Sequence, residues 1–167
     1  MKTKKICMLG AFAVGKTSLV NRFVSSIFNE KYHTTIGVKI SKKIVGSKSE
    51  QVQLMIWDIE GTDVFTSLKT SYLKGSSGVI LVIDGTRHAS FEEAIQIKTK
   101  INNVLGDVPI VCLINKCDLL SQWVFEDSDF ESIKNENWNP FKTSAKTGEN
   151  VEQAFFTLVD SMLHFET

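Results

Sequence analysis

The segment GAFAVGKT, residues 10–17, combines two glycines with a lysine and a threonine at a spacing suited to phosphate binding. Glycine permits positive φ angles and lets the backbone approach an anion closely. Successive backbone N–H groups and the start of a following helix supply partial positive charge to phosphate oxygens. In this spacing Lys16 reaches the outer phosphates and the Thr17 hydroxyl ligates Mg2+. An apolar run precedes the segment and a helix-like pattern follows it, which favours a phosphate-binding loop over an ordinary glycine turn.

Three short motifs follow, each at the end of an apolar run. They are DIEG at residues 58–61, NKCD at 115–118 and SAK at 144–146. An aspartate such as Asp58, at a strand's carboxyl end beside a phosphate loop, can hold Mg2+ through water, and the Gly61 N–H can meet a terminal phosphate. The Asp118 carboxylate can accept two N–H bonds from guanine, whereas adenine presents the opposite pattern. Each motif alone is weak, because a strand-end aspartate is usually a turn former; their order predicts a guanine-nucleotide site.

The elements that must position these motifs are apolar runs separated by helix-like segments. Runs typical of buried parallel strands cover residues 6–9, 54–57, 79–83 and 110–114. Helix-like segments cover residues 16–26, 65–74, 90–105 and 151–165. Residues 38–45 alternate apolar and polar side chains before residues 52–58, which predicts an antiparallel hairpin. We therefore expect one α/β domain over residues 1–167 with three layers, in which Ser90 is the N-cap of a helix and Glu93 completes a capping box.

Composition limits the classes of partner. The chain has 167 residues, 43% of them hydrophobic, with 19 basic and 19 acidic side chains. This balance suits one globular domain and offers no basic field for nucleic acid. Three cysteines, an odd number partly placed in strand-like runs, argue against a disulfide framework and favour a reducing cytoplasm. No apolar run approaches the roughly 20 residues that cross a bilayer.

The motifs, in this order, resemble those of small GTPases of the Ras superfamily, most closely the Rab branch. The resemblance covers nearly the whole chain and implies a P-loop NTPase fold: a six-stranded mixed sheet with one antiparallel hairpin, flanked by about five helices. It implies that Phe28 packs on the guanine and that residues 32–37 form switch I. The Mg2+ ligands it implies are Thr17, Thr35 and Asp58. The GTP- or GDP-binding residues it implies are Ala13, Val14, Gly15, Lys16, Thr17, Ser18, Phe28, Tyr32, Thr35, Gly61, Asn115, Lys116, Asp118, Leu119, Ser144, Ala145 and Lys146.

Two departures from the family pattern lie near the γ-phosphate. The usual run Asp-Thr-Ala-Gly-Gln is replaced by DIEGT at residues 58–62. The family glutamine orients the attacking water, and Thr62 is too short to place a donor and an acceptor at that reach. Phe12 stands where many members carry glycine, in the space used by that glutamine and by an activating protein's arginine finger. The catalytic residues implied are thus Thr62, Gly61 and Lys16, and we expect weak intrinsic GTP hydrolysis.

Two side chains near this site leave alternatives open. The Phe12 ring can enter the catalytic space, or it can fold outwards onto a switch as local core. The Glu60 carboxylate can position water, or it can simply be solvated.

Two functions from different classes fit these residues. The leading hypothesis is an Mg2+-dependent guanine-nucleotide switch that hydrolyses GTP slowly and recruits effectors through residues 32–45 and 60–75. The alternative is a nearly permanently GTP-bound interaction module, which Phe12 and Thr62 favour. A P-loop kinase is disfavoured, because the NKCD motif has no role there.

The resemblance also implies partners and a cellular setting. It implies an exchange factor and an activating protein as regulators, a monomeric state, and a role in signalling or vesicle trafficking. No cysteine or polybasic run follows residue 163, so no lipid anchor is visible. The chain is either truncated or a natural short form, and we expect a cytoplasmic protein that meets membranes through partners.

Overall fold

The computed structural model describes residues 1–28, 35–46, 50–61 and 68–165. The strands are β1 (Lys2–Gly10), β2 (Val38–Gly46), β3 (Gln51–Ile59), β4 (Gly78–Asp84), β5 (Ile110–Asn115) and β6 (Pro140–Lys142). The helices are α1 (Lys16–Ser25), α2 (Ala89–Leu105), α3 (Asp127–Asn135) and α4 (Val151–Phe165). None of the helices in these ranges combines the length and apolar character that a membrane span requires.

All six strands belong to one sheet, in the order β2-β3-β1-β4-β5-β6. β2 pairs with β3 in the antiparallel sense, and the remaining neighbours are parallel. α2 connects β4 to β5 and α3 connects β5 to β6, in line with the long crossover that neighbouring parallel strands need. The predicted α/β class and the mixed six-stranded sheet with one hairpin are therefore confirmed.

The helices differ in detail from the sequence pattern. The resemblance implies about five, and the described part of the chain contains four α-helices. The segment 65–74 lies partly outside the described residues, and its described end holds a single 3-10 turn, Thr70–Tyr72. Helix α3 was not predicted, because only Ile133 within it is buried and its remaining residues carry no clear apolar period.

Ser90 is not the N-cap of α2, so that prediction is wrong. The helix begins one residue earlier, at Ala89. The buried Ser90 hydroxyl instead accepts a hydrogen bond from the Asp84 N–H at 2.9 Å and donates one to the Arg87 carbonyl oxygen at 2.6 Å. The side chain therefore ties the first turn of α2 to the end of β4.

Two apolar cores lie on opposite faces of the sheet. One packs α1 and α4 against the sheet, and the other packs α2 and α3. β4 is buried at every residue between the two, which explains its continuous apolar sequence. In the first core, Phe23 of α1 and Phe155 of α4 stack with ring centroids 4.0 Å apart and planes 6° from parallel.

The strand register brings the sequence motifs to one edge of the sheet. Met8 lies opposite Asp58, and Asp84 lies opposite Asn115. Since β1, β3, β4 and β5 all run in the same direction, their carboxyl ends meet at this edge, where open α/β sheets bind their ligands.

The stacked phenylalanine pair predicts a large difference between two neighbouring positions. Phe155 is fully buried, whereas Phe156 is 45% exposed. We expect Phe155→Ala to lower the free energy of unfolding by about 3–5 kcal/mol, because it removes a core aromatic side chain and leaves a cavity. Phe156→Ala is the matched control and should cost clearly less. Urea denaturation of both variants measures the difference; equal losses would contradict the assigned packing.

Candidate nucleotide-binding site

The carbonyl groups of residues 10–14 are all bonded by side chains. Lys16 Nζ lies 3.5 Å from the Gly10 carbonyl oxygen and 3.3 Å from that of Ala11. The next three carbonyls each accept from a side chain of another element. The donors are Arg87 Nη2 to Phe12 at 2.7 Å, Lys116 Nζ to Ala13 at 2.9 Å and Asn115 Nδ2 to Val14 at 3.0 Å.

This bonding fixes which face of the loop its N–H groups present. In a trans peptide the C=O and the following N–H point to opposite sides. With the carbonyls of residues 12–14 committed to Arg87, Lys116 and Asn115, the N–H groups of residues 13–15 face away from those donors. α1 begins directly afterwards at Lys16, so the positive end of its dipole reinforces the same concave surface.

The Lys16 ammonium has no carboxylate as a hydrogen-bond partner among the described residues. Its side chain is 6% exposed, and its hydrogen-bond partners in the described residues are neutral carbonyls. Burial lowers the pKa of the ammonium to about 8, although the nearby Asp58 carboxylate acts in the opposite direction. A phosphate group would supply the missing negative charge.

The three residues implied as Mg2+ ligands lie together. The Thr17 hydroxyl donates to Asp58 Oδ2 at 2.5 Å and lies 2.6 Å from the Thr35 hydroxyl oxygen, which is itself 3.3 Å from Asp58 Oδ2. Asp58 is buried, and its other oxygen, Oδ1, has no hydrogen-bond partner among the described residues. Burial raises the pKa of Asp58, although hydrogen bonds from both threonines and the Lys16 charge oppose that rise.

These oxygens fit a magnesium ion. Mg2+ prefers hard oxygen ligands, commonly one or two carboxylates, and it keeps several waters. Two hydroxyls and one buried carboxylate with an unsatisfied oxygen match that preference. A divalent cation bound here would also reverse the burial effect on the pKa of Asp58.

A second cavity, of about 430 Å³, adjoins the loop on the side of β5. Its lining residues are Ala13, Gly15, Ser18, Phe28, Asn115, Lys116, Asp118, Leu119, Ala145 and Lys146. Ser144 Oγ donates to Asp118 Oδ1 at 2.8 Å, which fixes the carboxylate against the SAK segment. Arg22 donates to the carbonyls of Ala145 and Lys146 and so holds that segment from outside. The cavity thus joins one oriented carboxylate to an aromatic wall, as a planar heterocycle with N–H donors requires.

A model of the Ras family matches residues 5–164. The chain belongs to the Ras family. It is similar to Ras-related protein Rab-32A of Dictyostelium discoideum, with 34% identity over 95% of this chain and 77% of that protein. It is also similar to Rab-10 of Diplobatis ommata, at 36% identity over 95% and 80%, and to human Rab-7L1, at 33% over 98% and 84%. This Rab-like protein is accordingly a GTP-binding small GTPase.

Most of the expected site residues of this Rab-like GTPase come together in the two adjoining cavities. The phosphate-side cleft is lined by Phe12, Ala13, Gly15, Lys16, Thr17, Ser18, Thr35, Asp58, Ile59 and Gly61. The base-side cavity holds Phe28 and most of the NKCD and SAK residues. Tyr32 and Thr62 lie outside the described residues.

Phe12 and Gly61 are neighbours across the phosphate-side cleft. A Cβ placed on Gly61 would lie 2.6 Å from Phe12 Cα, so only glycine permits this approach. Phe12 lines the cleft while remaining 41% exposed. Phe12 therefore belongs to the cleft wall and is partly exposed to solvent, at a position where many members of the family carry glycine.

Two residues near the site take roles that the sequence alone did not indicate. Arg87 donates from Nε to Asp84 Oδ2 at 3.1 Å while its Nη2 holds the Phe12 carbonyl. Although burial acts the other way, the Lys116 ammonium and hydrogen bonds from Thr86 keep the pKa of Asp84 below its ordinary value. Glu60 is half-buried, and its Oε2 accepts a hydrogen bond from the Gly37 N–H at 3.0 Å. No sequence motif indicates either contact, because both depend on how separate loops pack together.

Arg87 gives a prediction about nucleotide release. We expect Arg87→Ala to speed GDP dissociation about fivefold, because the Phe12 carbonyl loses its charged donor on a partly exposed side of the loop. Thr86→Val is the matched control: Thr86 donates to Asp84 Oδ1 but is not among the donors to the loop. Release of a fluorescent GDP analogue measures both variants. An equal acceleration by Thr86→Val would mean that the effect operates through Asp84 rather than through the loop.

Proposed function

We propose that this Rab-like GTPase is an Mg2+-dependent switch that binds GTP and GDP, hydrolyses GTP slowly and recruits effectors in the GTP-bound form. The observation that carries the nucleotide assignment is the loop of residues 10–15, in which side chains from outside the loop hold the carbonyls of residues 12–14 and so turn the N–H groups of residues 13–15 to the opposite side. The adjoining cavity, with its oriented Asp118 carboxylate, supports guanine as the base.

Each protein group has a distinct part in binding. The loop N–H groups and Lys16 would hold the phosphates, where burial strengthens every electrostatic contact. Thr17, Thr35 and Asp58 would hold Mg2+, which supplies charge neutralisation between the β- and γ-phosphates when bound. Gly61, at its close approach to the phosphate loop, would direct its N–H towards the terminal phosphate.

We attribute slow hydrolysis to the residue types at Phe12 and Thr62, and not to the loss of a group that binds the nucleotide. Thr62 replaces the glutamine that orients the attacking water in this class of enzyme. Phe12, at the mouth of the cleft, adds bulk where an arginine finger would enter. Both changes weaken the positioning of the water and the stabilisation of the transition state, and they leave the groups that bind the ground state in place.

Restoring the family residues should therefore speed the chemical step. We expect Thr62→Gln combined with Phe12→Gly to raise the single-turnover rate of GTP hydrolysis by at least about tenfold, since water positioning contributes to the barrier in this class. The two single variants separate the contributions, and GDP affinity serves as the control for an intact site. Hydrolysis by the native chain at an ordinary small-GTPase rate would refute the proposal of weak activity.

The alternative function is a nearly permanently GTP-bound interaction module, and the same two residues favour it. The nucleotide that copurifies with the protein distinguishes the two. Mostly GDP supports a cycling GTPase, whereas GTP that persists after Mg2+ addition supports the module.

The base assignment gives a second prediction. We expect Asp118→Asn to weaken GTP binding by roughly 30- to 5,000-fold, corresponding to about 2–5 kcal/mol for the loss of a carboxylate paired with two N–H donors. The variant should prefer xanthosine triphosphate, because an amide can donate to the oxygen that replaces the guanine amino group. Glu149→Gln is the control, since Glu149 accepts a hydrogen bond from Cys117 and does not line the cavity. Calorimetry that finds equal native affinity for ATP and GTP would overturn the assignment.

Effectors and regulators are proposed to meet the surface that contains both switch regions. Ile36 and Ile40 are exposed apolar side chains there, at 87% and 45%, and Ile40 pairs across the hairpin with Trp57. The Trp57 ring packs against the ammonium of Lys5, 3.6 Å from the ring centroid. We further propose that the protein acts as a monomer under the control of an exchange factor and an activating protein, and that partners bring it to membranes.

A further inference from the structure

Glu60 is joined to Gly37 by two hydrogen bonds. The Glu60 N–H donates to the Gly37 carbonyl oxygen at 2.8 Å, which extends the β2–β3 ladder one step beyond the Val38–Ile59 pair. The Gly37 N–H donates to Glu60 Oε2 at 3.0 Å. A side chain thus replaces the next backbone partner where strand pairing ends, and a hydrogen bond to a carboxylate is stronger than a neutral one.

This link fixes a point close to the proposed metal site. Gly37 has a φ of 73°, a left-handed conformation that glycine adopts at no steric cost. Thr35 lies two residues earlier, so a fixed Gly37 keeps the Thr35 Cα within about 7 Å of it. The Thr35 hydroxyl is in contact with Thr17 and Asp58. Ile36, which lies between, is 87% exposed and contributes little packing of its own.

We propose that Glu60 is a positioning residue that holds Thr35 at the metal site in both the GDP-bound and the GTP-bound forms. The inference rests on the proposed guanine-nucleotide function. In small GTPases the switch loops are ordered by contacts to the γ-phosphate and Mg2+. The Glu60–Gly37 link is made between protein atoms alone, so loss of the γ-phosphate does not remove it.

The consequence is that the part of switch I near Thr35 differs less in conformation between the GDP-bound and the GTP-bound forms. A ligand can shift a conformational equilibrium only by its differential affinity for the two conformations. Because the Glu60–Gly37 link already favours the metal-binding position of Thr35, binding of the γ-phosphate orders this part of switch I by a smaller amount. The usual family run Asp-Thr-Ala-Gly-Gln has alanine where this chain has Glu60. A protein with that alanine lacks the carboxylate that accepts the hydrogen bond from the Gly37 N–H.

Amide hydrogen exchange at Gly37 tests the link directly. The chain is labelled with 15N, loaded with GDP and Mg2+ or with a non-hydrolysable GTP analogue, and followed by NMR as the native protein, Glu60→Ala and Glu60→Gln. We expect protection of the Gly37 amide in both native states and an approximately tenfold faster exchange in GDP-bound Glu60→Ala. Glu60→Gln keeps an acceptor oxygen and should lose clearly less protection.

The Mg2+ dependence of GDP release provides the second measurement. Glu60→Ala should weaken the apparent Mg2+ affinity of the GDP-bound form about tenfold. Thr35→Ala should have a similar effect, and the double variant should lose no more than the larger single loss, because both changes remove the same metal contact. Glu50→Ala, at the other end of the hairpin, is the matched control, and thermal unfolding establishes that each variant is folded.

Three results would overturn the inference: free exchange of the Gly37 amide in the native GDP-bound form, no change in that exchange in Glu60→Ala, or identical behaviour of Glu60→Ala and Glu60→Gln. A failure of the proposed function has a different signature. The native chain would then bind neither GDP nor Mg2+, whereas Gly37 exchange can still be measured in the protein without either ligand.

Discussion

The outward-facing carbonyl groups of the phosphate loop are the constraint on which the rest of the site depends. A loop that offers successive N–H groups to an anion has to satisfy the carbonyls on its other side, because buried polar groups without partners are costly. In this GTPase Arg87, Lys116 and Asn115 meet that requirement for residues 12–14. Asn115 is the last residue of β5, and Lys116 and Arg87 lie just after β5 and β4, so the order of the strands brings these donors to the loop.

The same interactions connect the phosphate and base sides. Lys116 holds the Ala13 carbonyl and pairs with Asp84 at 2.8 Å, while Asn115 spans from the Val14 carbonyl to the Thr143 hydroxyl. The NKCD motif therefore supports the phosphate loop through its first two residues and presents a carboxylate to the adjoining cavity through its last. Burial and the Glu149 carboxylate, which accepts a hydrogen bond from Cys117 Sγ, raise the pKa of the Cys117 thiol to about 12 and so disfavour its thiolate form.

The sequence was sufficient to predict the α/β fold and the position of the site motifs at one edge of the sheet. Gly10, Asp58 and Asn115 lie at the carboxyl ends of β1, β3 and β5, and the SAK segment follows β6, so these motifs meet at one edge because the parallel strands share a direction. Contacts between loops could not be predicted from the sequence. The hydrogen bond from Arg87 to the Phe12 carbonyl depends on where α2 begins, and the hydrogen bond from Gly37 to Glu60 depends on the β2–β3 register. Ser90 illustrates the same limit, because its N-cap pattern matches while its hydroxyl is used by β4. Tyr32 and Thr62 remain predictions from sequence.

The stacked pair of Phe23 and Phe155 has a consequence for how the protein is made. α1 directly follows the phosphate loop and is synthesised before the other helices, whereas α4, which packs against α1, is synthesised after all six strands. Contacts between segments so distant along the chain slow folding more than local contacts do. During synthesis, Phe23 therefore lacks its stacking partner until the residues of α4 have left the ribosome.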